Sequence, residues 1–203
     1  MFSESERDRR RCRFFDEAAA GWEERNYPPE IMARTEELIA GLGIAPGLTI
    51  LDAGCGRGVI LPVLRGISGP EARLLALDAS ASMLEGVAAK DPAALAVFAR
   101  AEEIPLIDSY VDLVLCFSAF PHFSDHPAVA REFFRVLKAG GRACVLHLAG
   151  SEMIRRHHEG HFAVHGDCMP DAQGMLAMFS EAGFSRLTLI DEEDRYVFSA
   201  FKP

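Results

Sequence analysis

The sequence predicts an α/β domain: a mostly parallel, doubly wound sheet of seven strands with an antiparallel C-terminal hairpin and an N-terminal helical cap. Three observations carry this. From residue 48 onward, short apolar runs of strand length alternate with segments of helical periodicity. The first run passes straight into ILDAGCGRG, Ile50 to Gly58, where three glycines are spaced two apart. The chain ends on two closely spaced β-type runs, which read as a hairpin.

Taken in order, residues 14–42 read as mainly helical. Between Glu30 and Leu42, the residues Ile31, Leu38, Ile39 and Leu42 share one face at helical spacing. Pro28-Pro29 opens that helix and Gly43 closes it. Residues 1–45 are therefore expected to form a helical cap on a single domain whose body is 46–203. After Pro46-Gly47 come a strand, LTILDA (48–53), a helix with a proline near its start, VILPVLRGI (59–67), and a second strand, RLLALDA (73–79). SASMLEGVAAK (80–90) reads as one helix with Ser80 as its cap. ALAVFAR (94–100) and YVDLVLCFS (110–118) are strands, and PAVAREFFRVL (127–137) is a helix preceded by Asp125, a suitable cap. Gly140-Gly141 leads into a fifth strand, RACVLHLA (142–149). AQGMLAMFSEAG (172–183) is a helix closed by Gly183, and RLTLID (186–191) with RYVFSAF (195–201) forms the hairpin. Such alternation places helices on both sheet faces. It also puts the ligand at the carboxyl ends of the strands, near the switch in strand order.

Composition narrows the class. The chain has 203 residues, 49% of them hydrophobic, which suits one domain with a full core. No apolar run reaches the roughly 18 residues that span a bilayer, so no membrane partner is expected. The opening MFSESERDRRRCRFF is charged throughout and lacks the apolar centre of a secretory signal. Five cysteines, odd in number and scattered, do not make a disulfide framework and fit reduced thiols in a cytoplasmic protein. A formal charge of −9 argues against a nucleic-acid partner. The local exception, Arg7, Arg9, Arg10, Arg11 and Arg13, reads as the solvated face of a terminal helix.

The glycine turn carries the chemistry. Without Cβ atoms the backbone at Gly54, Gly56 and Gly58 can turn sharply and approach a ligand, with the next helix pointing its N-terminus at the same place. Asp52 ends the first strand. Asp78 ends the second, where a carboxylate can take two hydrogen bonds from a ribose. A Gly-x-Gly-x-Gly turn after a strand, with an acid closing the next strand, points to an adenosyl-type cofactor on a Rossmann-like domain. A nicotinamide-dependent oxidoreductase is the rival, but its fingerprint sets the third glycine one position later, where this chain has Val59.

ILDAGCGRG resembles the first motif of the class I S-adenosylmethionine-dependent methyltransferases. ALDAS (76–80) is similar to their ribose-binding motif, ARAEEIPL (99–106) to the segment beside adenine, and YVDLVLCFSAFPHF (110–123) to their fourth-strand motif. REFFRVLKAGGRACVLH (131–147) resembles the helix, turn and strand that follow. The nearest subgroup is the methyltransferase domain shared with ubiquinone- and menaquinone-pathway C-methyltransferases, which FFDEAAAGWEE (14–24) also resembles. The resemblance implies S-adenosylmethionine as cofactor and glycines that leave room for its methionine part. It implies that Asp52 orders the turn or meets the amino group, and that Asp78 holds the ribose. Ala79 and Met83 would pack on adenine, with Ala101 and Glu102 at its edge. Many relatives have an Asp where this chain has Arg100, so that contact passes to Glu102 or to a backbone carbonyl. Cys55, Cys116 and Phe117 complete the expected cofactor set.

The acceptor side is less marked. Phe14, Phe15, Trp22 and Tyr27 in the cap, CFSAFPHF after the fourth strand, and the segment after the fifth strand should cover it. Residues 150–171 read as a polar loop, and five of the seven histidines fall between 147 and 165. His122, His147 and His157 are the candidate acceptor-side residues. His157, His161 and His165, spaced by four, could also present imidazoles to a metal, although Gly160 and Gly166 weaken a helix there and no metal is assigned. The reading is an S-adenosylmethionine-dependent methyltransferase with a small-molecule acceptor. A non-catalytic sensor of the same cofactor and the nicotinamide enzyme are the alternatives.

Overall fold

The structure, a computed structural model, describes residues 6–160 and 164–203. After the helices α1 (Glu6–Ala18), α2 (Trp22–Asn26) and α3 (Pro29–Ala40), strands β1 (Thr49–Ala53) and β2 (Arg73–Asp78) flank α4 (Leu61–Ser68). The short helices α5 (Ala81–Leu84) and α6 (Val87–Lys90) precede β3 (Leu95–Phe98) and β4 (Val111–Phe117). Then come α7 (His126–Val136), β5 (Leu137–His147), α8 (Ser151–Glu159), α9 (Ala172–Glu181), β6 (Ser185–Glu192) and β7 (Arg195–Phe201).

The seven strands form one sheet in the order β3-β2-β1-β4-β5-β7-β6. The first five run parallel, and β7 pairs antiparallel with both β5 and β6. The order reverses between β1 and β4, which is where a doubly wound sheet opens its ligand crevice.

Period-two alternation divides the central strands between two cores. Leu51, Leu75, Val114 and Val145 face Phe133 of α7 and Phe179 of α9. Ile50, Leu74, Leu115 and Leu146 face Ile39 of α3 and Leu61 and Leu64 of α4. All eight strand residues are buried, as a sheet covered on both faces requires.

Three sequence expectations give way here. Residues 80–90 hold two short helices, because a side chain at Gly86 would collide with the backbone of Arg57, 2.8 Å away; the close approach interrupts the helix. β5 starts at Leu137 and takes in Gly140-Gly141, with a register shift between Val111 and Leu113 of β4. Gly141 fits there because a Cβ would lie 2.8 Å from the Lys138 carbonyl oxygen. Residues 151–159, expected as loop, form α8, tied along its exposed face by Glu152–Arg155, Glu152–Arg156 and Arg155–Glu159 pairs and anchored by buried Ile154.

Candidate cofactor and acceptor site

The crevice opens at the carboxyl ends of β1, β2 and β4, and α1 and Trp22 of α2 lie over it. β1 delivers Asp52, which is 1% exposed. Burial, then the charge of Asp78, pushes its carboxyl up to about 8. Its Oδ2 is buried without a hydrogen-bond partner among the described residues. A buried polar atom left unpaired is costly unless something else supplies the partner.

The three glycines divide the work. Gly54 has φ 77°, and a Cβ there would lie 2.4 Å from the Ala119 Cβ, so this glycine lets the turn abut the end of β4. Gly58 has φ 80° and would collide with Leu61 Cδ1 at 2.7 Å; it serves packing onto α4 and is not part of the crevice wall. Only Gly56, φ 53°, leaves open space on the crevice side, its nearest atom being Met83 Sδ at 3.9 Å. The room for a ligand expected at all three glycines is therefore at Gly56.

Gly56 also fixes the second acid. Its N–H donates to Asp78 Oδ2 at 2.8 Å, and the Ser80 N–H donates to Oδ1 at 2.9 Å. Burial raises the Asp78 carboxyl, while these N–H bonds pull it down. The acid thus stands oriented at the end of β2 with Ala79 beside it on the crevice wall. Ser80 Oγ then accepts from the Met83 N–H at 3.1 Å, capping α5 and setting Met83 against the crevice. Opposite, Ala101 and Glu102 line the wall. Glu102 Oε1 accepts from the Ser124 N–H at 2.7 Å and lies 3.4 Å from Arg100, so it braces the turn after β4. Cys55 and Phe117 also line the crevice.

Cys116 does not line the crevice. It is fully buried among Phe120, Val129 and the strands, because its side chain points to the opposite face from Phe117. Of the cap residues expected to cover the site, Phe15, Trp22 and Tyr27 line the crevice. Tyr27, half-buried after α2, hydrogen-bonds Ser118, and burial with the nearby Asp52 charge pushes its hydroxyl up to about 12.

On the acceptor side, His122 lines the crevice and its ring meets Phe15 edge-on at 5.1 Å. His122 Nδ1 lies 2.9 Å from Oδ2 of Asp167, a residue the sequence reading passed over. Asp167 is 2% exposed and takes a two-pronged bond from Arg11, whose Nε and Nη2 both stand at 3.0 Å. Arg11, expected on a solvated helix face, is itself buried and also reaches Asp8 and Ser124. No local pattern could reveal this, since Arg11 and Asp167 are 156 residues apart.

The other histidines scatter. His147 is buried without lining the crevice, and desolvation, followed by the charges of His122 and His158, drops its imidazole to about 3. It stays neutral and does not fit a proton carrier near pH 7. His157 is exposed on α8 and not on the crevice wall, while its neighbour His158 stands 4.8 Å from the His122 ring. His165 is exposed and His161 lies outside the described residues. Among the described residues no group of three or more His, Cys, Asp or Glu could hold a metal, and no helix is long and apolar enough to cross a membrane.

Fold and site together define an α/β domain with an adenosyl-type cofactor crevice at its topological switch point. Residues 51–145 match the family model of a methyltransferase domain, and the chain is similar in sequence to methyltransferases and in fold to S-adenosylmethionine-dependent ones. It is 34% identical over 121 residues to an uncharacterized methyltransferase of Schizosaccharomyces pombe, covering 60% of this chain and 46% of the relative. It is 34% identical over 110 residues to a ubiquinone/menaquinone biosynthesis C-methyltransferase of Vibrio cholerae, covering 51% and 42%. The chain thus spans less than half the length of these curated relatives. The fold is shared with a SAM-dependent methyltransferase of Thermotoga maritima at TM-score 0.77 and 17% identity, over 95% of this chain and 100% of that one.

Proposed function

We propose that the protein transfers a methyl group from S-adenosylmethionine to a small-molecule acceptor by in-line displacement. The observation that carries this is the crevice at the ends of β1 and β2. Unpaired Asp52 Oδ2, the open space at Gly56 and the oriented Asp78 carboxylate converge there. When bound, the cofactor supplies an electrophilic methyl group on a sulfonium. Asp78 accepts from the ribose hydroxyls, Met83 and Ala101 pack on the base, and Asp52 receives the amino group of the methionine part. The chain's contribution to rate is mostly orientation and exclusion of water, on the order of several kcal/mol for well-aligned reactants. Phe15, Trp22 and Phe123 give the acceptor side an apolar, aromatic wall, which fits a partly apolar acceptor.

Calorimetric titration with S-adenosylhomocysteine, with NADH as control, tests the reading. Saturable binding near micromolar, about −8 kcal/mol, is expected for the first ligand alone. Asp78→Ala should weaken it at least tenfold. Binding of NADH alone would sink the proposal.

A further inference from the structure

We infer that His122 and Asp167 form a general-base pair, and that the acceptor is an aromatic hydroxyl compound. This deepens the methyltransferase reading and rests on it. The pair joins two distant parts of the chain on the acceptor side. His122 comes from the turn after β4 and Asp167 from the segment between α8 and α9.

An ionised carboxylate only accepts hydrogen bonds, so Asp167 Oδ2 at 2.9 Å places the proton of neutral His122 on Nδ1. The lone pair is then on Nε2, on a ring that lines the crevice. A base, an orienting acid and a crevice in this arrangement match the geometry expected of general-base catalysis. Arg11 supplies the compensation that a buried carboxylate needs. Its two-pronged bond pairs the Asp167 carboxylate and fixes its rotation, so the acid can orient His122. Among the described residues, the charged and titratable groups around His122 include Asp167, Arg11 and Asp8 of α1, His158 of α8 and His147 of β5.

A base selects the acceptor. A neutral amine already carries the attacking lone pair, and a thiol ionises readily by itself. A hydroxyl in a dry site needs its proton removed as it attacks. Here the O–H bond breaks, its electron pair stays on the acceptor oxygen, and the proton joins His122 Nε2. The overall change turns a hydroxyl and a sulfonium into a methyl ether, a thioether and that proton. Phe15, set edge-on to His122 and 5.7 Å from Trp22, gives an aromatic ring a matching wall.

The test uses the full chain loaded with S-adenosylhomocysteine. Nitrogen NMR of the imidazoles, assigned with His122→Gln, should show His122 with its proton on Nδ1. 1-Naphthol should perturb its Nε2 signal, and tryptamine should not. Asp167→Asn should abolish the tautomer preference. In turnover with radiolabelled S-adenosylmethionine, 1-naphthol or catechol should be methylated. His122→Gln should lower kcat at least about 100-fold. Asp167→Asn should lower kcat and move the acid limb of the pH profile while leaving the donor KM unchanged. A purely structural Asp167 would instead raise the donor KM and leave that limb in place. A proton on Nε2, no naphthol perturbation, or methylation of tryptamine or 2-mercaptoethanol in place of the hydroxyl probes would overturn the inference with the cofactor reading intact. Failure to bind S-adenosylhomocysteine would instead remove the methyltransferase reading itself.

Discussion

At the scale of single residues, Asp52 is the most exposed to a pH experiment. Its folded-state carboxyl sits at about 8, against an ordinary carboxylate near 4, so the folded chain holds this proton more tightly than the unfolded chain does. Stability from this group is therefore complete below about pH 4 and is lost progressively as pH rises through about 8. Asp52→Asn keeps the shape and removes the titration. In ligand-free protein the variant should gain on the wild type between those limits, by at least about 3 °C in Tm at the alkaline end. The same variant should bind S-adenosylhomocysteine more weakly, because a neutral amide is a poor partner for an ammonium group. Thermal melts across the pH range decide it: a constant Tm difference would mean that the folded carboxyl is not raised.

At the scale of elements, the glycine turn separates fold from binding. Gly54→Ala adds a methyl 2.4 Å from Ala119 Cβ and strains a positive-φ position, so it should cost roughly 2–4 kcal/mol in stability. Gly56→Ala adds a methyl into open space and should cost about 1–2 kcal/mol through φ alone. It should nonetheless weaken S-adenosylhomocysteine binding at least tenfold, because the methyl occupies crevice volume. Denaturant melts paired with calorimetry check both, and equal losses of affinity and stability in the two variants would refute the division. The turn itself was legible in sequence because its signal is local: a strand, three glycines and two acids within 29 residues, Ile50 to Asp78. The centre of the sheet was legible for the same reason, since β1, β2 and β4 each bury a continuous apolar run. What could not be read depended on distant partners. Gly86 ends a helix because Arg57 approaches it, α8 is held by surface ion pairs and one buried isoleucine, and Asp167 gains its role from Arg11 and His122. Cys116 and Phe117 show the smallest form of this limit: a strand can be recognised before it is known which face meets the crevice.

At the scale of the whole molecule, α1 is the element whose position decides access. It contributes Asp8, Arg11, Cys12 and Phe15 to the crevice lining, and its Asp16 accepts from Ser80 Oγ at 2.5 Å beside Asp78. Arg11 then ties the same helix to Asp167, between α8 and α9. Release of a cofactor bound in this crevice is then expected to need a movement of α1, whose contacts include the Asp16–Ser80 and Arg11–Asp167 bonds and the Phe15 ring against Trp22 and His122. Such an element belongs to the low-stability end of a fold, and its opening is visible to hydrogen exchange. Bound S-adenosylhomocysteine should slow amide exchange in α1 at least tenfold, by adding contacts that only the closed helix makes. The β6–β7 hairpin at the far edge of the sheet should be unchanged, since it shares no residue with the crevice lining. Arg11→Gln should speed exchange in α1 of the ligand-free protein and raise the dissociation rate of S-adenosylhomocysteine. Equal exchange of α1 with and without ligand would show that the helix is a fixed wall, and that the cofactor enters by another route.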